Sequence, residues 1–192
     1  QVNEEVIEPD RAIIDPHHHL WRVGAPYELD DLWADTASGH NIVGTVFIEC
    51  GAEYRSDGPE SLWPVGETEY VRLQSELSNQ HQAIGNPPIL GIVSHADLML
   101  GGAVSEVLHE HKKAGGDLVR GIRHSTAFYP DPPAVDRYSG RIPELMMQNK
   151  FREGFSQLAS AGLSFDAWLL HTQIRELIDL ASAFPDTPII FD

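Results

Sequence analysis

The run Asp15-Pro16-His17-His18-His19-Leu20-Trp21 carries the densest chemistry in the chain, three histidines in succession directly behind an apolar stretch. If that stretch is a strand, side chains at i and i+2 leave on the same side. His17 and His19 then converge, and His18 turns away. Two neutral imidazoles a few ångströms apart can take adjacent positions around one divalent cation. Asp15 shares their parity, which predicts a carboxylate that orients one of the rings.

Other polar residues fall at the ends of further apolar runs. Glu49 closes the run Ile42–Ile48 and offers a carboxylate near the two histidines if it points inward, or a solvated acid if it does not. Arg120 and Arg123 flank the C-terminal half of Leu118–Arg123. An arginine fork in a low-dielectric mouth grips a carboxylate bidentately; the alternative is an ion pair with one of the chain's many acids. Arg123 lies nearer the strand end and is the stronger candidate. His95, His124 and His171 also sit at strand ends, and Trp21, two residues after His19, is placed to wall a pocket. His109 and His111 are two apart on a helix, so they point about 200° apart and cannot chelate one ion; a solvated position is expected for both. Cys50 is expected to be a small buried apolar residue rather than a nucleophile, since nothing nearby in the sequence lowers its pKa.

The elements that must position these groups alternate. Ile13-Ile14, Ile42–Ile48, Pro88–Val93, Leu118–Arg123, Leu163–Leu170 and Pro188–Phe191 read as strands buried on both faces. Between them lie helical patterns over Gly66–Leu77, Gly102–Ala114, Glu144–Ala161 and Gln173–Phe184, with Gly115-Gly116 and Gly162 as stops. Tyr27–His40 is weakly helical, Gly51–Pro64 is a surface loop and Tyr129–Pro143 is a Pro-rich loop. Such alternation implies parallel strands with right-handed crossovers, in an open doubly wound sheet or a barrel. No Gly-rich phosphate loop follows the first strand, and the polar residues gather at C-terminal strand ends, which favours a (β/α)₈ barrel of the TIM type in one domain over residues 1–192. About six βα units are expected here. A complete barrel needs about 250 residues, so the C-terminal part is expected to be missing.

Composition sets the outer bounds. The chain has 192 residues and 42% apolar content, enough for a sizeable core. A formal charge of −16, from 29 acidic and 13 basic residues, repels phosphate backbones and anionic membranes. Nucleic acid and membrane partners are therefore not expected. A small-molecule substrate is, and a homo-oligomer is compatible with the composition. With one cysteine the chain can form no internal disulfide. No signal-like or spanning apolar run occurs, so a cytoplasmic location is expected.

The motif DPHHHLW resembles the first-strand signature of the amidohydrolase-2 branch of the amidohydrolase superfamily. VFIECGAEY, PVGETE, GIVSHADL, LVRGIRH, SFDAWLLHTQI and FPDTPIIFD are similar, in order, to successive strand-end segments of its metal-dependent hydrolases and lactonases. The resemblance implies His17 and His19 as metal or substrate ligands, His171 as a further site histidine on the fifth strand, and hydrolysis of a lactone or related bond. It implies one divalent ion, with zinc the first choice, and leaves a metal-independent variant open; no lysine stands on the fourth strand to bridge two metals. In the implied reaction Glu49 and His171 take catalytic roles, and Arg123, Trp21, His95 and His124 bind substrate. An aspartate beyond residue 192 would deprotonate the water. A metal-dependent decarboxylase and a catalytically inactive binding barrel are the alternative readings.

Overall fold

The computed structural model describes residues 5–81, 86–129 and 142–192. Each apolar run becomes a strand: β1 (Ala12–His18), β2 (Asn41–Ile48), β3 (Ile89–His95), β4 (Val119–Arg123), β5 (Ser164–Ala167) and β6 (Ile189–Phe191). Neighbours pair in parallel and strictly in chain order. That order decides between the two architectures: a doubly wound sheet reverses its strand order at a switch point, whereas a barrel does not. The sheet curls as part of a (β/α) barrel, the architecture expected from the alternating pattern.

The crossovers are helical. They comprise α1 (Leu29–Thr36), α2 (Val65–Gln80), α3 (Val104–Gly115), the pair α4 (Asn149–Phe155) and α5 (Gln157–Ala161), and α6 (Ile174–Ala183). The weakly helical stretch after β1 does form a helix, helped by Asp31, whose carboxylate accepts the Glu28 N–H at 2.9 Å. The single helix expected over Glu144–Ala161 is instead a 3₁₀ turn followed by two short helices, because Gln148 is extended and interrupts the ladder. Gly116 and Gly162, both at positive φ, close α3 and α5 where the sequence placed stops. β5 ends at Ala167 rather than Leu170. Beyond it Gln173 takes over, its amide donating to the Thr126 carbonyl and accepting from the N–H groups of Phe128 and Leu170. Of the Pro-rich loop expected over Tyr129–Pro143, residues 130–141 lie outside the described residues. Among the described residues no helix is long and apolar enough to cross a membrane.

Alternation along the strands divides the side chains between two faces. Phe47, Ile89 and Ile92 pack with Tyr70 and Val71 of α2 and with Leu29 and Leu32 of α1. Ile122 and Phe165 pack with Val107 and Leu108 of α3, Phe151 of α4 and Leu177 of α6. The intervening residues face the inside of the curl. Parallel register sets His95 beside Arg123 and Arg123 beside Asp166, so three titratable side chains lie at one level on that inner face.

His111 corrects an expectation: it is fully buried rather than solvated. Its Nε2–H donates to the His95 carbonyl at 2.9 Å, which makes Nδ1 the acceptor for Thr68 Oγ1 at 2.8 Å; Ser94 Oγ lies 2.8 Å from the same hydroxyl. This ring ties α2 and α3 to the end of β3 and must stay neutral to do so. Burial pushes its pKa down to about 4. A histidine depressed in the fold binds protons more readily when unfolded, so stability present above pH 6.5 is lost as pH falls toward 4. The amplitude is of the order of 3 kcal/mol. His111→Gln, which can donate and accept in the ring's place, should visibly flatten the decline in urea unfolding free energy between pH 6.5 and 4. An unchanged decline would show that this ring does not titrate on unfolding.

Candidate active site at the barrel mouth

The strand ends deliver one connected polar network. At the end of β1 the two rings converge as their parity predicts: His17 Nε2 and His19 Nε2 are 3.3 Å apart and the rings meet edge to face. His18 turns to the helical side, 6% exposed against Phe47, and burial lowers its pKa to about 4. The outer nitrogens of the converging pair are committed. His17 Nδ1 lies 2.9 Å from Asp192 Oδ1, and His19 Nδ1 lies 2.7 Å from the Ile48 carbonyl. A carbonyl and a carboxylate only accept, so each Nδ1 carries the hydrogen. Asp15 does not orient a ring, as the parity reading expected; it accepts the His17 backbone N–H at 3.1 Å, and Asp192 orients the ring instead.

Arg123 stands at the centre of the network. Nε–H donates to Glu49 Oε1 at 2.8 Å, Nη2–H to the Glu49 carbonyl at 2.5 Å, and Nη1–H to Asp192 Oδ2 at 2.9 Å. The residue is 9% exposed. The fork expected to grip a substrate carboxylate is therefore already filled by two carboxylates of the chain, the ion-pair alternative for this residue. One guanidinium thus links the ends of β2, β4 and β6, and through Asp192 it reaches β1. Asp166, 5% exposed, lies alongside on β5. Burial and, next, the Asp192 charge push its carboxyl up to about 6, against the opposing pull of Arg123. Three carboxylates facing one guanidinium leave the mouth with excess negative charge.

This arrangement fits a divalent cation. With both Nδ1 atoms protonated, neutral rings turn two bare lone pairs toward each other, which is repulsive unless a cation or a shared proton lies between them. Two nitrogen ligands about 2.0–2.1 Å from a tetrahedral zinc are separated by about 3.3–3.4 Å, the spacing found here. Burial, ahead of the neighbouring charges of His17 and Arg123, also lowers the His19 pKa. The surplus carboxylate charge adds attraction. Among the described residues no set of three or more His, Cys, Asp or Glu converges as a metal cage, so the pair would contribute two ligands to such an ion.

Beside the network is a cavity of about 350 Å³ lined by Glu49, Tyr54, His95, His124 and Ser125, with Ile142 and Leu145 as apolar wall. His95 Nδ1–H donates to the Arg123 carbonyl at 3.0 Å, and His124 Nδ1 accepts from the Leu98 N–H at 3.1 Å. The two rings sit edge to face. Glu49, His95 and His124 thus come together as candidate pocket residues. Two others do not join them. Trp21 stacks on Tyr27 and donates to the Ala25 carbonyl, and His171 is exposed in the turn after β5. A larger hollow of about 520 Å³ beside Phe128, Gln173 and Glu176 is lined by no histidine among the described residues. Cys50, expected to be buried, is exposed; its thiol is nevertheless pushed up to about 12 by partial burial and by the charges of Glu67 and Glu49, which leaves it unreactive.

Asp192, Asp166 and Glu67 escaped the reading of the sequence. Asp192 had a usable signal, since it follows β6 with the parity of Ile190. Asp166 had the same kind of signal, alternating with Phe165 and Ala167 on β5, whereas Glu67 lies at a helix start where the sequence carries no mark of direction.

The sequence matches the amidohydrolase family model over residues 14–192. It is 31% identical to protein y4mH of Sinorhizobium fredii, over 95% of this chain and 62% of that protein. The structure is similar to amidohydrolase 2 from Bifidobacterium longum subsp. infantis (TM-score 0.52, 18% identity, 93% of this chain and 59% of the other). It is also similar to a zinc-bound amidohydrolase from Burkholderia multivorans (TM-score 0.59, 17% identity, 92% and 55%). These identities carry the fold alone. The chain spans somewhat under two thirds of the length of each of these proteins.

Removing the guanidinium would strand two largely enclosed carboxylates. Arg123→Met should cost about 3–5 kcal/mol in urea unfolding, and Arg123→Lys should recover only part, because a point charge cannot serve three acceptors in different directions. A loss under about 1 kcal/mol for Arg123→Met would show that the clamp does not hold the strand ends.

Proposed function

Because the chain belongs to the amidohydrolase family, we propose that its strand-end site hydrolyses a small cyclic ester, a lactone, with help from one divalent ion held by His17 and His19. The observation that carries this reading is the pair of Nε2 atoms facing each other at 3.3 Å while both Nδ1 atoms are spent on acceptors. Zinc is the ion favoured by two imidazole donors at tetrahedral spacing.

When bound, such an ion supplies Lewis-acid stabilisation of the charge that builds on the carbonyl oxygen. The residues of the chain do the rest. Asp192 and the Ile48 carbonyl hold the two rings in the ligand tautomer. Glu49 lines the cavity with one oxygen bound to Arg123; its Oε2 makes no hydrogen bond among the described residues and is placed to take the proton of an attacking water. Arg123 fixes that carboxylate instead of gripping substrate. Tyr54 and Ser125 offer hydroxyls, and His95 and His124 offer rings, to orient the oxygen-rich part of a substrate against the apolar wall of Ile142 and Leu145.

A panel of aldonolactones and pyrone carboxylates, assayed with and without chelator, tests this reading. Turnover of at least one lactone should fall on chelation and return with zinc. His17→Ala should lower kcat/KM by about 100-fold or more while the far-ultraviolet circular dichroism is unchanged. Undiminished turnover by the His17→Ala protein would overturn the scheme, and insensitivity to chelator would remove the metal from it.

A further inference from the structure

The buried carboxylate of Glu67 has no part in the reading above, and its position is unusual for the start of a helix. It occupies the third position of α2, where a glutamate commonly folds back to the N–H of the capping residue. Here the cap is Pro64, which has no N–H to offer. Glu67 turns away from its own helix toward the loop after β2. Its Oε1 accepts the N–H of Cys50 at 3.0 Å and of Ala52 at 2.7 Å. Close approach makes this reach attainable, since a Cβ on Gly66 would lie 2.5 Å from the Glu53 carbonyl oxygen and 2.7 Å from the Arg55 nitrogen.

The Cys50 N–H belongs to the same peptide unit as the Glu49 carbonyl, and that carbonyl accepts from Arg123 Nη2. One peptide is thus held between a guanidinium at its oxygen and a carboxylate at its N–H, each aligned with the peptide dipole. Hydrogen bonds at both ends, charge-assisted at the guanidinium, fix the plane of the peptide. The side chain leaving that peptide is Glu49, whose own carboxylate takes Arg123 Nε.

We propose that Glu67 is a positioning residue of the site: from the first turn of α2 it locks the Glu49–Cys50 peptide in the orientation that lets the Glu49 carbonyl and carboxylate hold Arg123 together. The kinetic consequence rests on the hydrolase reading, in which Glu49 receives a proton; the structural consequence does not. Glu67 is 2% exposed, its Oε2 is buried without a hydrogen-bond partner among the described residues, and its charge acts on Cys50 and Tyr54 nearby. A carboxylate serving only its own helix would not be kept there at that cost. Burial raises its pKa to about 7, so glutamine, which keeps the accepting oxygen, closely mimics its neutral form.

Solvent exchange of the Arg123 Nε–H, followed by ¹⁵N-resolved NMR, and steady-state kinetics on a lactone should be measured for Glu67→Leu and Glu67→Gln. Glu67→Leu should speed Nε–H exchange about tenfold or more and lower kcat about tenfold with KM within about twofold. Glu67→Gln should stay within about threefold of the parent in both. If Glu67→Leu does not fold, Glu67→Asp, whose shorter arm loses the two N–H bonds, takes its place with the same expectation. Exchange left unchanged by Glu67→Leu or Glu67→Asp, or accelerated as much by Glu67→Gln, would overturn the proposal. Should the parent protein turn over no lactone, the hydrolase reading fails while the exchange measurement still decides the role of Glu67.

Discussion

A single guanidinium, enclosed at the mouth of a curled parallel sheet, is the contact on which the site depends. Arg123 reaches Glu49 on one side and Asp192 on the other, and among the described residues no other arginine or lysine pairs with either carboxylate. Without it, Glu49, Asp166 and Asp192 would face one another in a medium where unpaired charge is costly. With it, two of them are fixed in place, while the Asp166 carboxyl is raised first by burial and then by the Asp192 charge. The pairing does not stop at electrostatics. Asp192, held by Arg123 through one oxygen, presents the other to His17, so a charge on β4 selects the tautomer of a ring on β1.

The same logic explains why consecutive histidines do different work. A strand sends His17 and His19 to the inner face and His18 to the helical side. On the inner face the rings meet polar partners and remain half open to solvent or ligand. On the other side His18 sits against Phe47, and deeper still His111 knits α2, α3 and β3 together through hydrogen bonds that only a neutral ring can make. Position relative to the sheet, not residue type, separates the converging pair from the struts.

That distinction also marks what sequence could and could not convey. Period-two and period-3.6 patterns placed all six strands and the main helices, because burial on one or both faces leaves a direct trace in residue order. Convergence of His17 and His19 was legible for the same reason. What stayed hidden depends on contacts between distant segments. Nothing local shows that Arg123 is already engaged by Glu49 and Asp192, that His111 faces Thr68, or that Gln148 interrupts the expected long helix. Trp21 and His171 looked suited to the pocket from their places beside strand ends, yet a stacking partner at Tyr27 and an exposed turn set them apart from it.

The chemistry of the pair turns on where two hydrogens reside. Long-range ¹H–¹⁵N correlation spectra of the histidine rings, recorded at pH 8 before and after one equivalent of zinc, read this directly. Both His17 and His19 should carry their hydrogen on Nδ1 throughout, and both Nε2 resonances should move together when zinc is added. A spectrum in which either ring holds its hydrogen on Nε2 with a bare Nδ1 would contradict the orientation of the pair and with it the cation site.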